Sequence, residues 1–198
     1  MVRCRIPSAS IGDPAMSSAA SSGKASLLER VRRGIRDIPD FPAPGILFRD
    51  ITPLLEDATL FRDVTDAMAL PFRAQQVTHV AGVESRGFVL AAPVAQSLGA
   101  GFIPVRKQGK LPWKTARRSY GLEYGTDQLE IHADACPPGS RVLVVDDVLA
   151  TGGTARATAE LIGEIGGVVV GFSFLIVLDA LAGTAQLDGC RVETLIRF

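Results

Sequence analysis

Arg141-Val142-Leu143-Val144-Val145-Asp146-Asp147-Val148-Leu149-Ala150-Thr151-Gly152-Gly153-Thr154-Ala155-Arg156 is the stretch whose reading decides the fold. The apolar run Val142 to Val145 fits a strand buried on both faces in a parallel sheet. The alanine-rich segment beyond it, with Ala155, Ala157, Ala159, Leu161 and Ile162, fits the helix that follows such a strand. Two carboxylates and a Gly/Thr turn therefore fall at the carboxyl end of a central strand, where open α/β sheets bind ligands. Gly152 and Gly153 allow a tight turn with converging N–H groups. The first turn of the helix adds unpaired N–H groups and a positive dipole end. With the hydroxyls of Thr151 and Thr154, this is a cradle suited to a phosphate monoester.

Asp146 and Asp147 would repel a phosphate that they faced. A few residues upstream of it, they can instead accept hydrogen bonds from vicinal hydroxyls, and a diol beside a phosphate describes a ribose 5-phosphate. A plain strand-to-helix turn with solvated acids fits the same residues. The pattern is neither the G-x-G-x-x-G dinucleotide fingerprint nor the phosphate-binding G-x-x-x-x-G-K-[ST] loop, so nothing argues for a nicotinamide cofactor or for ATP hydrolysis.

At 198 residues, 47% of them apolar, with a formal net charge of zero, the chain has room for one domain with a sizeable core and no global electrostatic case for nucleic acid. Cys4, Cys136 and Cys190 are odd in number and widely spaced, giving neither a disulfide framework nor a zinc pattern, so a reducing, cytoplasmic setting is expected. His79 and His132 are too few and too far apart for a metal site. No apolar run reaches the roughly 18 residues of a membrane span, and Arg3 and Arg5 precede no apolar segment of signal-peptide length.

Residues 1–25, rich in Ser, Ala, Gly and Pro, read as a disordered tail, and 26–198 as one domain. Leu27, Leu28, Val31 and Ile35 describe an amphipathic helix capped by Ser26, and a second helix covers Ala58 to Leu70, starting near Asp57. Strands are expected at Val77 to Val83, Phe102 to Val105, Val168 to Leu178 and Val192 to Ile196, and a helix from about Val89 to Leu98. A hairpin, Leu122 to Tyr124 and Gln128 to His132, turns at Gly125-Thr126-Asp127. The succession predicts an α/β fold with a mostly parallel central sheet flanked by helices.

Two basic features ask for a counter-anion. Arg86 sits at a helix start, where a positive charge opposes the dipole unless an anion binds beside it. Between Arg106 and Arg118 stand six basic residues (Arg106, Lys107, Lys110, Lys114, Arg117, Arg118) and no acid. Nucleic-acid phosphate and pyrophosphate are both candidates. Trp113 and Tyr120 offer little stacking surface, and with a ribose-phosphate cradle already inferred, pyrophosphate is favoured.

The strand, the paired acids and the Thr-Gly-Gly-Thr turn at Val144 to Thr154 resemble the phosphoribosyltransferase family. Four further stretches, Phe41 to Leu55, Glu84 to Phe88, Pro104 to Lys107 with Gly109 to Pro112, and Tyr120 to Gly125, resemble its adenine-using branch, in the same order along the chain. The resemblance implies the type I phosphoribosyltransferase fold with a flexible basic loop and an N-terminal base-binding hood over residues 26–57. It implies transfer of a 5-phosphoribosyl group from 5-phosphoribosyl 1-pyrophosphate to N9 of adenine, giving AMP and pyrophosphate, with Mg²⁺ held mainly by substrate and water, in a homodimer. By the same resemblance Leu47, Phe48, Arg49 and Val148 bind adenine, and Arg86, Arg106, Lys107 and Lys110 bind pyrophosphate. Asp146 and Asp147 hold the ribose, and Ala150, Thr151, Gly152, Gly153 and Thr154 the 5-phosphate. Glu123 is the catalytic carboxylate of a loop that Tyr124 shares.

Two other readings compete. A regulatory protein could bind the same phosphoribosyl ligand without chemistry, but would want a DNA-binding domain, and residues 1–25 are too short and too polar to build one. A hypoxanthine, guanine or xanthine transferase would need a donor facing a 6-oxo group, where the Phe48 segment resembles the adenine version.

Overall fold

The computed structural model describes residues 18–122 and 125–198, which divide into a smaller unit ending at Asp66 and a larger one running from Ala67 to Phe198. In the smaller unit, α1 (Ser18–Arg33) leads to an antiparallel pair, β1 (Arg36–Ile38) and β2 (Phe48–Asp50), followed by α2 (Thr52–Glu56) and most of α3 (Ala58–Ala69). The first helix thus starts at Ser18 rather than at Ser26, as alanine's helix preference between them allows. Asp57 caps α3 as expected, its Oδ1 accepting the amides of Thr59 and Leu60 at 2.9 and 3.0 Å. Opposite charges face one another across β1 and β2. Arg36 opposes Asp50, donating to its Oδ2 through Nε at 3.1 Å and Nη2 at 2.6 Å, and Asp37 opposes Arg49, to which it is ion-paired.

The larger unit is built on seven strands in the order β5-β6-β4-β3-β7-β8-β9. Here β3 is His79–Val83, β4 Gly101–Lys107, β5 Thr115–Leu122, β6 Gly125–His132, β7 Arg141–Leu149, β8 Val168–Val177 and β9 Val192–Arg197. The five strands from β4 to β9 in that order run parallel, and the hairpin β5–β6 joins antiparallel at β4. Val142 to Val145 on β7 are fully buried, as a central strand covered on both faces requires. Helices α4 (Arg86–Leu98) and α5 (Gly153–Glu164) pack against the sheet, α4 on β3, β4 and β7, and α5 on β7, β8 and the hairpin. From β3 the chain moves one way to β4, and from β7 the other way to β8. The carboxyl ends of β3 and β7 therefore flank the point where the winding reverses, the place where a crevice opens in such sheets.

Further boundaries that bear on the site differ from expectation. The strand β7 continues through Asp146 and Asp147 to Leu149, because Asp146, Val148 and Leu149 keep pairing with β8. Helix α4 starts at Arg86, directly after β3, rather than near Val89. The hairpin is longer than the short strands expected. It pairs from Thr115↔His132 to Leu122↔Gly125, so Gly125, Thr126 and Asp127 belong to β6 rather than to the turn. Part of the basic segment is thereby strand, its length set by alternation across the pair rather than by its charge.

Candidate active site

Two adjoining recesses lie at the carboxyl ends of β3 and β7. The smaller, about 80 Å³, is lined by Val148, Ala150, Thr151, Gly152, Gly153 and Thr154 together with Asp146, so the whole expected cradle is one concave site. Gly152 has φ +85°, and α5 begins at the next residue, so its first turn borders the recess. The larger, about 630 Å³, is lined by Arg86, Arg106, Lys107, Lys110, Asp146, Asp147 and Thr154, with Glu84, Ser85 and Tyr120 among the others. Asp146 and Thr154 border both. All expected ribose, 5-phosphate and pyrophosphate positions are therefore brought together from β3, β4, β7 and the starts of α4 and α5.

The charges in the larger recess are paired. Arg86 Nε lies 2.8 Å from Asp147 Oδ2, and Asp147 is 5% exposed, so this is a shielded pair. The Asp147 amide donates to Asp146 Oδ1 at 2.9 Å. Burial and the neighbouring Asp147 charge push the Asp146 carboxyl well above the ordinary carboxylate range, with the Asp147 amide and Arg86 pulling the other way. The two acids are thus unlike, one ion-paired with an arginine, the other in surroundings that disfavour its charged form.

The counter-anion sought for the basic segment is partly internal. Arg106 Nε and Lys110 Nζ share the two oxygens of Glu84, at 2.8 and 2.6 Å. Burial works to raise the Glu84 pKa, but those two cations outweigh it and hold it below the usual value. Glu130, 1% exposed on β6, accepts the amides of Lys110 and Leu111 at 3.1 Å each through Oε1 and pairs with Arg117 at 3.3 Å through Oε2. Two cations on one carboxylate leave a surplus positive charge facing the recess, which is what an incoming pyrophosphate requires.

Leu47, Phe48 and Arg49 belong to the smaller unit, where the Phe48 ring meets Phe41 edge-on at 5.0 Å and Leu47 is exposed. Glu123 and Tyr124 lie outside the described residues. Among the described residues no group of three or more His, Cys, Asp or Glu could hold a metal ion, and no helix is long and apolar enough to cross a membrane.

Comparison with known proteins settles the family. The phosphoribosyl transferase domain model matches residues 52–196. A curated adenine phosphoribosyltransferase of Myxococcus xanthus is 57% identical over 173 residues, 87% of this chain and 94% of its own. The chain belongs to the adenine phosphoribosyltransferase family. Among solved family members, the Rhodothermus marinus enzyme superposes with a TM-score of 0.84 at 51% identity, covering 88% of this chain and 99% of its own. The Saccharomyces cerevisiae enzyme, crystallised with D-2,5-dideoxy-2,5-imino-altritol 1,6-bisphosphate and adenine, gives 0.83 at 38% identity over 87% and 99%. These likenesses bear out the type I phosphoribosyltransferase fold read from the sequence.

Within this adenine phosphoribosyltransferase fold, three contributors escape a reading of the sequence. Glu84 and Glu130 look like solvated acids until their partners are known. Gly87 lies so close to β7 that a Cβ there would stand 2.6 Å from Asp146 Oδ1. Its placement after Arg86 was visible, but a close approach to another strand leaves no mark in neighbouring residues.

Proposed function

We propose that this chain transfers the 5-phosphoribosyl group of 5-phosphoribosyl 1-pyrophosphate to N9 of adenine, giving AMP and pyrophosphate and so returning a free purine to the nucleotide pool. The single observation that carries the reading is the continuity of the two recesses through Asp146 and Thr154, which sets a phosphate cradle beside a diol-binding pair and a cationic cleft. The C1′–O bond to pyrophosphate breaks as the N9–C1′ bond forms, and the reacting carbon carries positive charge in between. Residues 150–154 grip the 5-phosphate, so binding energy from a group that does not react fixes the carbon that does. Asp146 and Asp147 orient the ribose hydroxyls. Arg86, Arg106, Lys107 and Lys110 take up the charge developing on the departing pyrophosphate.

Adenine is assigned to Leu47, Phe48 and Arg49 with Val148 on its other face, and Glu123, beside Tyr124, to the proton that adenine loses as N9 attacks. Mg²⁺ would neutralise substrate phosphates. Of the acids bordering the cleft, Asp147 is committed to Arg86 and Glu84 to Arg106 and Lys110, a donor set that suits an ion held mainly by substrate oxygens and water. The reading places the protein in the cytoplasm as a homodimer.

Incubation with 5-phosphoribosyl 1-pyrophosphate, Mg²⁺ and each purine in turn tests the reading. AMP from adenine alone is expected. Comparable GMP or IMP formation would move the base assignment, and no product from any base would leave a binding protein.

A further inference from the structure

Beside the cradle lies a second groove of about 380 Å³, lined by Ser119 and Tyr120 of β5, Thr151 and Gly153 of the turn, Arg156 and Glu160 of α5, and Gln186. One carboxylate ties its walls together. Glu160 Oε1 accepts from Arg156 Nε at 3.1 Å, while Glu160 Oε2 faces Arg118 Nε of β5 at 3.4 Å. Arg118 also donates through Nη2 to Glu164 at 3.2 Å, so the hairpin is fastened to two successive turns of α5. At the far end, Arg156 Nη1 donates to Gln186 Oε1 at 3.0 Å. The stem of Gln186 packs on the cradle itself, because a Cβ on Gly152 would lie 2.9 Å from its Cβ.

An isolated exposed ion pair contributes little, but a carboxylate with a guanidinium facing each oxygen, one hydrogen-bonded and one at ion-pair distance, joins two elements geometrically. The residues after Arg118, Ser119 and Tyr120, form the groove wall opposite Thr151 and Gly153. A line of contacts through Gln186, Arg156 and Glu160 thus leads from the cradle to Arg118 on β5.

We propose that Glu160 is a positioning residue that couples occupancy of the cradle to the placement of the β5–β6 hairpin, by holding Arg118 of β5 and Arg156 of α5 on one carboxylate. The proposal rests on the reading of residues 150–154 as the 5-phosphate site, and its test separates the two. Hydrogen exchange at the β5 amides of residues 117–120 is followed in the full chain with and without ribose 5-phosphate, in wild type, Glu160→Gln, Arg118→Met and the double variant.

Ligand should slow exchange in wild type by about threefold to tenfold, and much less in either single variant; by linkage, ribose 5-phosphate affinity should fall by a similar factor. The double variant should behave as the singles do, because both remove one connection. In wild type the slowing should shrink at about 1 M salt, which screens the ion pairs. Equal slowing in wild type and in folded Glu160→Gln overturns the coupling. Should Glu160→Gln not fold, Arg118→Met, which leaves α5 intact, carries the same comparison. Ligand that binds wild type without slowing β5 leaves the cradle standing and overturns the coupling, whereas failure of wild type to bind ribose 5-phosphate overturns the cradle reading and the coupling with it.

Discussion

Asp146 and Asp147 are neighbours with opposite habits. Asp147 is buried and ion-paired with Arg86, whereas the Asp146 carboxyl is pushed up by burial and by Asp147. Replacing each by asparagine separates the two roles, because an amide mimics a protonated acid in shape and hydrogen bonding but cannot replace a carboxylate opposite a guanidinium. Asp147→Asn is expected to lower kcat/KM for 5-phosphoribosyl 1-pyrophosphate by about tenfold to a thousandfold, the loss of a few kcal/mol of transition-state interaction, and Asp146→Asn by less than about tenfold. Steady-state kinetics on the two variants decide the matter, and equal losses would mean that the acids act alike. Both acids stand out in the sequence, since a strand, two carboxylates and a turn are contiguous. The sequence could not tell them apart, because the difference lies in Arg86 and in the depth of each side chain.

At the scale of single elements, β6 and the β1–β2 pair each depend on one acid. Glu130 is the acceptor around which the turn after β4 is organised, holding the amides of Lys110 and Leu111 together with Arg117. Burial works to raise its pKa, but the amides of Leu111, Gly109 and Lys110, with Arg117, outweigh it and hold it below the usual value. Glu130→Ala leaves those donors without their buried partner and is expected to cost about 2–4 kcal/mol in denaturant unfolding, and to weaken pyrophosphate binding by displacing Lys110. Asp50 has its pKa lowered from 3.8 to about 2, first by the Thr52 hydroxyl, then by the Thr52 amide and Arg36. A carboxylate favoured by folding stabilises fully above pH 3.8, and that contribution is lost as the pH falls from 3.8 toward about 2. An acid titration of stability should therefore be flatter over that window in Asp50→Asn than in wild type, and superimposable curves would show that Asp50 is not linked to folding. Neither acid's role was legible. Glu84 shows why in its simplest form, for its partners stand 22 and 26 residues ahead, across a strand pairing that no local pattern announces.

For the molecule as a whole, strand order assembles the site. Because the winding reverses between β3 and β7, residues 84–88 and 146–154 meet although some sixty residues of chain separate them. The parallel strands and their helices were legible from apolar runs and alanine-rich segments. Hairpin length and the starts of α1 and α4 were not, since cross-strand pairing and the backbone's own hydrogen bonding set them rather than composition. The same folding brings Gly183, from the far side of β8, against the back of the cradle: a Cβ there would stand 2.0 Å from the Ala150 carbonyl oxygen and 2.9 Å from the Gly152 amide nitrogen. A single added methyl at a position that lines neither recess would thus act like a wedge driven behind an anvil. Gly183→Ala is expected to lower kcat/KM by about a hundredfold, the loss that an ångström's misplacement of a binding group can bring, with affinity for ribose 5-phosphate falling alongside. The reach of this enzyme's chemistry then extends to residues that never meet a substrate, and a survey of harmful substitutions confined to the groups that do would overlook the one whose contribution is to take up no room.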